Sequence, residues 1–400
     1  MEIGPILRAL LKNKTRFVLI TLEVALALAI VVNCINMMLD MKHQMDRPTG
    51  IDEANIIAIW SHPFMADFKE DGYFKNSMKA DLEMMRSLPG VVAADAFNHI
   101  PLSGGGSSSG WKPLGSEMNT LAANYFTTGV QGIDVLGVKL VQGRNFTLDD
   151  INEAKSKNVI ITRAFADRLF PDGDALGKQI QGRSPDNPDT IVGIIEKMHG
   201  SWPTWPYVEH VLLRPGEPGD FNWGTRYMVR VEEGRVDALT VTLEEKLLEL
   251  NNGRNVRIET LAEVKADTFE GNAVVIKLLS AVIGLLVFVT ALGIVGITSF
   301  SVTERTHHIG TRRALGARRF DILRYFLTEN WLITTFGLLL GAVFTYGFNY
   351  ILVQFINGAK LDWRLLVGGL IGMWIIGLLA ALFPALRGSR ISPAVATRSV

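Results

Sequence analysis

Long apolar stretches, separated by polar segments, set the main pattern of this chain. They occupy residues 17–39, 273–300, 331–356 and 365–386. A helix of about 20 apolar residues is long enough to cross the ~30 Å hydrocarbon core of a bilayer. The pattern therefore predicts four transmembrane helices, with one large segment, 40–272, between the first two.

The segment 40–272 has a different pattern, in which short strand-like and helix-like runs interleave. Runs rich in β-branched and aromatic residues favour strands, and apolar residues three and four apart favour helices. The expected strands are 55–60, 91–97, 158–162, 190–195, 210–214, 227–231 and 256–260, and the expected helices are 76–87, 163–170 and 236–250. The Gly/Ser-rich stretch 103–110 is interpreted as a flexible linker, with a loop that faces a partner or substrate as the alternative.

The distribution of charge orients the chain across the membrane. Lysine plus arginine and aspartate plus glutamate both number 40, so the net charge is zero, but the acidic excess lies in 40–272. Basic residues are concentrated in the short segments 1–16, 301–330 and 387–400, and such residues stay in the cytoplasm. Both termini are therefore predicted to be cytoplasmic, and 1–16 to form an amphipathic helix on the inner leaflet or a plain extension of the first span.

Motifs for catalysis are missing from the sequence. The segment 174–179, DALGKQ, is not a phosphate-binding loop, because Asp172 stands where the first glycine belongs and Gln179 replaces the Ser or Thr. The histidines and carboxylates lack the spacing of a metal site, and the single cysteine, Cys34, lies in the first apolar stretch. We therefore expect no catalytic residue, no metal and no cofactor bound by this chain, and no ATPase activity of its own.

Small residues recur at helix-packing spacing inside two of the predicted spans. Gly337 and Gly341 are four residues apart, as are Gly368 and Gly372. This spacing lets two helices approach closely, within one chain or between subunits. The ordinary frequency of glycine in spanning helices is the alternative explanation.

The cytoplasmic segment 304–320 reads ERTHHIGTRRALGARRF, which is basic and compatible with a helix. Its composition alone permits a basic amphipathic helix that rests on anionic lipid. The motif also resembles the loop of the MacB/FtsX-like ABC permease family, roughly E-R-x-x-E-I-G-x-x-[RK]-A-x-G-A. The matching residues are Glu304, Arg305, Ile309, Gly310, Arg313, Ala314, Gly316 and Ala317. The departure is His308, where the family usually carries an acid.

The resemblance extends over nearly the whole chain. Residues 132–147 and 159–180 resemble the family's periplasmic core domain, and 384–398 resembles its C-terminal ending. The resemblance implies an α-helical membrane protein with four transmembrane helices plus an α+β periplasmic domain. That domain would be a porter-like core, 40–272, with an inserted sabre-like lobe at about 130–200.

The resemblance also implies a function. The chain would be the permease subunit of an ABC transporter in the bacterial inner membrane, with ATP and Mg bound by separate cytoplasmic ATPase subunits. It would transmit their motion to the periplasm and so drive export of a peptide, drug or lipid-like cargo. The expected docking residues are Glu304, Arg305, Ile309, Gly310, Arg313, Ala314, Leu315 and Gly316.

Further partners follow from the same resemblance. They are the lipid bilayer and a second permease chain, identical or related, and the family also suggests a periplasmic adaptor and an outer-membrane channel. Nucleic acid is not among the expected partners. The alternative function is a membrane sensor that controls a periplasmic partner such as a cell-wall hydrolase.

Overall fold

The computed structural model describes residues 14–70, 72–152, 157–182, 187–219, 222–356 and 358–391. Most of the predicted N-terminal amphipathic helix and the end of the C-terminal tail lie outside these residues. The chain divides into two compact units. We call Met1–His43 with Asn272–Val400 the helical unit, and Gln44–Gly271 the sheet unit.

The described helices and strands follow one another along the chain with short connections. The helices are α1 (Lys14–Asp46), α2 (Tyr73–Ser87), α3 (Gly132–Leu136), α4 (Leu148–Asn152), α5 (Arg163–Leu169), α6 (Val236–Leu250), α7 (Leu261–Thr268), α8 (Glu270–Glu304), α9 (Thr306–Ala314), α10 (Arg319–Ile356) and α11 (Trp363–Ser389). The strands are β1 (Ile56–Pro63), β2 (Val91–Phe97), β3 (Ser108–Pro113), β4 (Leu121–Thr128), β5 (Leu140–Gly143), β6 (Asn158–Thr162), β7 (Gln179–Gln181), β8 (Asp189–Ile195), β9 (Val211–Pro215), β10 (Thr225–Val231) and β11 (Arg254–Thr260).

Among the described residues, four helices are long and apolar enough to cross a membrane: α1, α8, α10 and α11. Each covers one of the four predicted spans and extends beyond it. The largest extension is in α10, which begins at Arg319, twelve residues before the expected start at residue 331. The segment 301–330 is therefore mostly helical, with the short α9 between the ends of α8 and α10.

Apolar side chains from all four long helices form the core of the helical unit. Val24 and Leu28 of α1 pack with Ile294 of α8, Leu338 of α10 and Met373 of α11. A polar contact also joins α1 and α10. The Asn349 amide of α10 donates a hydrogen bond to Asn33 Oδ1 of α1 at 3.1 Å. Because lipid offers no alternative partner, such buried amides find each other across helices.

The four predicted packing glycines divide into two groups. A Cβ at Gly341 would lie 3.0 Å from the Ala25 backbone, and one at Gly337 would lie 2.9 Å from the Val24 side chain. Both glycines of α10 therefore lie at a close contact with α1. By contrast, a Cβ at Gly368 or Gly372 would meet no atom of the described chain within 4 Å.

The within-chain contact expected at Gly368 and Gly372 is thus absent from the described residues. The neighbouring Gly369 lies at the close contact with α1 instead. A side chain at Gly369 would collide with Val32 of α1. A four-residue spacing fixes one helix face but not which face meets the neighbouring helix. Contact between subunits at Gly368 and Gly372 stays a prediction.

The strands of the sheet unit form one hydrogen-bonded sheet. Its order is β11-β1-β10-β2-β4-β3-β7-β8-β6-β9, and β5 pairs with β8. The first four strands in this order are antiparallel neighbours. Helices α2 and α6 pack on this part through Met85, Leu243 and Leu247, which contact Ile57 and Tyr227 among others.

A second part of the sheet unit is inserted between β2 and β10. Its strands β4, β3, β7, β8, β6 and β9 follow one another in the sheet, and a parallel pairing of β4 with β9 closes them into a ring. Because β3 and β4 precede residue 130 and β9 follows residue 200, this inserted part is wider than the predicted lobe at 130–200. The sabre-like shape of the lobe stays a prediction.

The stretch 103–110 is not a linker, contrary to the prediction. Its last residues begin strand β3, which pairs with β4 and β7. The Gly104 amide donates a hydrogen bond to the Ser201 carbonyl at 2.8 Å, and a side chain at Gly106 would collide with Ser201. The glycines here serve close packing, which composition alone does not distinguish from flexibility.

Candidate functional site

The segment with the family-like motif connects two of the four long helices. It comprises the end of α8, the short helix α9, a turn at 315–318 and the beginning of α10. Nine residues of α9 give about two and a half turns, so the helix has distinct inner and outer faces. The two faces have different contacts, and we describe them separately.

The inner face of α9 packs on the helical unit. Ile309 is 4% exposed, and Gly310 beside it is also buried. Ile309 belongs to an apolar cluster with Val302 of α8, with Ile322 and Phe326 of α10, and with Ala385 of α11. This cluster fixes α9 against three long helices at once. Ile309 and Gly310 therefore anchor α9 on the helices behind it.

Arg305, between α8 and α9, is also turned inward. Its Nη1 atom donates hydrogen bonds to Glu329 Oε2 at 2.9 Å and to the Tyr325 hydroxyl at 3.1 Å. Burial alone would lower the pKa of the guanidinium, but Glu329 and Tyr325 outweigh it and raise that pKa. Arg305 thus remains charged and ties the start of α9 to α10 through a half-buried ion pair.

The turn after α9 has the geometry of a helix end capped by glycine. The Ala317 amide donates to the Arg312 carbonyl at 3.0 Å, and the Gly316 amide donates to the Arg313 carbonyl at 3.2 Å. Gly316 has φ +99°, a backbone conformation that favours glycine. The Arg318 amide then donates to Asp321 Oδ2 at 2.9 Å, which caps the start of α10. The turn is therefore well defined at both sides.

The outer face carries the remaining motif residues, and we call it the coupling face. Its exposed members are Glu304, His307, His308, Thr311, Arg312, Ala314, Leu315 and Gly316. Leu315 at its tip is 84% exposed, so an apolar side chain is presented at the end of the turn. The Arg312 guanidinium lies 5.3 Å from the centre of the Tyr325 ring, so part of its basic charge is held in place.

The structure thus separates the eight predicted docking residues by role. Glu304, Ala314, Leu315 and Gly316 lie on the coupling face and are accessible to a partner. Arg313 is half-buried, and Arg305, Ile309 and Gly310 hold α9 in place, as described above. A motif records that residues belong together but does not record which way each side chain points.

Sequence reasoning missed Glu329 and Tyr325, the two partners of Arg305. One signal was present, because Glu329 is an acid directly before a predicted span and acids in such places usually have a partner. Elsewhere, the described residues contain no group of three or more histidine, cysteine, aspartate or glutamate side chains that could hold a metal ion.

Comparisons with protein families match both parts of the chain. The model of the MacB-like periplasmic core domain matches residues 17–246. The model of the FtsX-like permease C-terminal region matches residues 280–393, which includes α9 and the coupling face. Together the two models cover most of the chain, and the first alone covers more than half.

Curated relatives of this chain include proteins named as ABC transporter permeases. The macrolide export ATP-binding/permease protein MacB of Neisseria meningitidis serogroup A is 26% identical over 96% of this chain. The match spans 59% of that relative, so the chain covers little more than half of its length. The uncharacterized ABC transporter permease YknZ of Bacillus subtilis is 26% identical over 79% of this chain and 82% of its own.

Two solved structures with similarity to part of this chain are a MacB periplasmic region and a YknZ extracellular domain. The periplasmic region of MacB from Actinobacillus actinomycetemcomitans has 17% identity and a TM-score of 0.37, with 55% of this chain and 94% of that chain covered. The extracellular domain of YknZ has 16% identity and a TM-score of 0.35, with 51% and 100% covered. On the family matches, this chain belongs to the MacB/FtsX-like family of ABC transporter permeases.

Proposed function

We propose that this chain is the permease subunit of an ABC transporter and that it transmits motion from a separate ATPase to its periplasmic domain. Membership of the family implies an ATPase partner. The relatives YknZ and YvrN of Bacillus subtilis are named permeases, and the chain spans 82% and 67% of their lengths. The chemistry of ATP hydrolysis, with its magnesium ion, then belongs to the partner.

The observation that carries this proposal is the coupling face on a firmly anchored helix. Leu315 is exposed at the tip of a capped turn, while Ile309 and Arg305 fix α9 to the long helices behind it. A force applied to Leu315 is therefore passed to α8, α10 and α11 and is not absorbed by a loose loop. Packed elements of this kind move as rigid bodies between discrete arrangements.

The lengths of α1 and α8 suit the transmission of such motion. They contain 33 and 35 residues, or about 50 Å each at 1.5 Å per residue. The hydrocarbon core needs only about 30 Å. Both helices also border the sheet unit along the chain, since one ends and the other begins at its boundaries. They are our candidates for the elements that carry movement into the periplasmic domain.

The remaining parts of the proposal concern location, partners and cargo. We place the protein in the bacterial inner membrane with cytoplasmic termini, because its basic segments lie at one end of the predicted spans. Two permease chains, identical or related, would form the transporter. The name of the Neisseria relative, a macrolide export protein, supports export of a drug-like cargo. We keep a peptide or lipid-like cargo, an adaptor and an outer-membrane channel as further parts of the proposal.

A single substitution on the coupling face tests the docking. Leu315→Asp places a charge at a fully accessible tip, so the fold should be unaffected while an apolar contact with the ATPase is lost. Co-purification of the co-expressed ABC ATPase should fall on the order of tenfold or more, because a central apolar contact contributes about 2 kcal/mol or more.

The matched control is Leu148→Asp, the same change at a leucine that is 67% exposed in the sheet unit. This variant should retain the ATPase at the level of the unchanged protein. If Leu315→Asp retains it equally well, the coupling face is not the docking site and the assignment of α9 is wrong.

A further inference from the structure

A groove opens between α10 and α11 at their basic ends, beside but distinct from the coupling face. Its volume is about 330 Å³. Arg324, Leu327, Thr328 and Trp331 line one side, at the i, i+3, i+4 and i+7 positions of a single helix face. Leu378 of α11 lines the other side. Phe320 and Leu323 also line the groove and precede Arg324 on α10, so the groove is apolar on both sides of its one cationic residue.

The arginine of the groove is available to a ligand. Arg324 is exposed, and among the described residues no carboxylate forms an ion pair with its guanidinium. The nearest acid along the helix, Asp321, accepts a hydrogen bond from the Arg318 amide. Arg318 and Arg319 are exposed nearby in sequence, so the charge at this end of α10 is strongly positive.

The tryptophan wall of the groove is rigid. The rings of Trp331 and Trp374 lie 5.7 Å apart, and Trp374 Nε1 donates to Thr335 Oγ1 at 3.3 Å. Tryptophan is enriched at the level of the lipid headgroups, where its ring is partly apolar and partly polar. Arg324 lies seven residues before Trp331, or about 10 Å along the helix toward the basic end.

We propose that this groove binds one anionic phospholipid of the cytoplasmic leaflet. Its phosphate contacts the Arg324 guanidinium, and an acyl chain lies along Leu327, Trp331 and Leu378. Basic pockets between spanning helices on the cytoplasmic side are suited to anionic headgroups. On the Trp331 side of Arg324, about 10 Å of mostly apolar wall is available to an acyl chain whose phosphate lies at the guanidinium.

Charge decides between this occupant and a second copy of the chain. A second copy that approached through the same face would bring its own arginines against Arg318, Arg319 and Arg324. Like charges placed against each other across an interface oppose association. An anionic lipid neutralises the same cluster. The proposal rests on the cytoplasmic orientation proposed above for the basic ends, but not on transport, because lipid binding is measured on the permease alone.

Native mass spectrometry of the full-length protein in detergent tests the proposal. The protein is titrated with dioleoylphosphatidylglycerol, which is anionic, and with dioleoylphosphatidylcholine, which is zwitterionic. We expect one tightly bound phosphatidylglycerol and a preference of about fivefold or more over phosphatidylcholine. Arg324→Gln should remove the preference, and Thr328→Trp, which fills the groove, should weaken the binding of both lipids.

The control is Arg364→Gln at the opposite end of α11. Arg364 is also exposed and also lies beside a tryptophan, with its guanidinium 5.9 Å from the centre of the Trp363 ring. It does not line the groove, so lipid binding should be unchanged. Equal binding by the unchanged protein, Arg324→Gln and Thr328→Trp would overturn the proposal. So would a dimer that Thr328→Trp dissociates without any change in bound lipid, because a second copy would then occupy the groove.

Discussion

Asp95 is the residue whose surroundings have the clearest consequence for stability. It lies on β2, is 3% exposed, and accepts hydrogen bonds from the Ala96 amide at 2.9 Å and the Gln131 amide at 2.8 Å. Arg86 lies 3.8 Å away, beyond hydrogen-bond distance. Burial raises the pKa of the Asp95 carboxyl to about 6, because the two amides and Arg86 offset the loss of water only in part.

A raised pKa in the folded state predicts the sign of a pH effect. Between about pH 4 and pH 6 the folded protein holds a proton at Asp95 that the unfolded chain releases, so stability falls as pH rises through this window. A rise of the pKa from 3.8 to about 6 corresponds to about 3 kcal/mol. Relative to Asp95→Asn, which cannot ionise, the unchanged protein should lose up to this amount between pH 4 and pH 7. Thermal unfolding in detergent at each pH measures the difference.

Asp150 provides a control, because its effect on the pH dependence of stability has the opposite sign. A hydrogen bond from Arg144 holds the pKa of the Asp150 carboxyl well below its ordinary value. Asp150→Asn should therefore destabilise the protein at neutral pH and do so less as the pH falls through 4. If the stability difference between the unchanged protein and Asp95→Asn is the same at pH 4 and pH 7, the inferred protonation of Asp95 is wrong.

At the residue scale the sequence identifies which residues matter at the coupling segment but not what each one does. The motif placed Arg305 and Ile309 among the docking residues, and the structure shows that both also hold α9 against neighbouring helices. Their part in docking stays a prediction. Their partners Glu329 and Phe326 lie about 20 residues along the chain on another helix. A contact of that separation depends on how two helices pack, which a single sequence does not encode in any local pattern.

At the scale of helices and strands, the contact of α1 with α10 depends on Gly337 and Gly341. A leucine at Gly341 would push its side chain into the Ala25 backbone, which cannot move aside as a flexible side chain can. Gly341→Leu should therefore separate the helices and lower the melting temperature of the detergent-solubilised protein by several degrees, since overpacking costs about 1–3 kcal/mol.

Gly372→Leu is the matched control, because no described atom lies within 4 Å of the Cβ position. It should leave the melting temperature unchanged. Native mass spectrometry of the same variant also tests the predicted contact between subunits: loss of a dimer at an unchanged melting temperature would support it. A Gly341→Leu protein as stable as the unchanged one would contradict the close contact of α1 with α10.

Elements with a strong hydrophobic signal were predictable, and those without one were not. All seven expected strands and all three expected helices of the sheet unit are present within a few residues of their predicted bounds. Strands β3, β4, β5 and β7 were not predicted. The strands β5 and β7 have only four and three residues, and polar residues or glycine interrupt the apolar pattern of β3 and β4. The early start of α10 was missed because charged residues interrupt the apolar pattern of its first three turns.

At the scale of the whole molecule, charge and hydropathy divide the chain into segments of different character. Basic residues gather at one end of the long helices, and the acidic excess lies in the sheet unit. The four long apolar helices were predictable because they follow from segment length. The orientation assigned from the arginines stays a prediction. The closed ring of strands in the inserted part was not predictable, because a parallel pairing of β4 with β9 joins segments more than 80 residues apart.

The central claim is that ATP use by the partner moves the periplasmic domain through the coupling face. The most direct measurement is the spin-label distance between the two permease chains of the assembled transporter, with Leu148→Cys labelled in a Cys34→Ser background. The distance should change when ATP is trapped with vanadate, and Leu315→Asp should abolish the change. An unchanged distance while bound ATPase turns over ATP, or a full change in Leu315→Asp, would contradict the account.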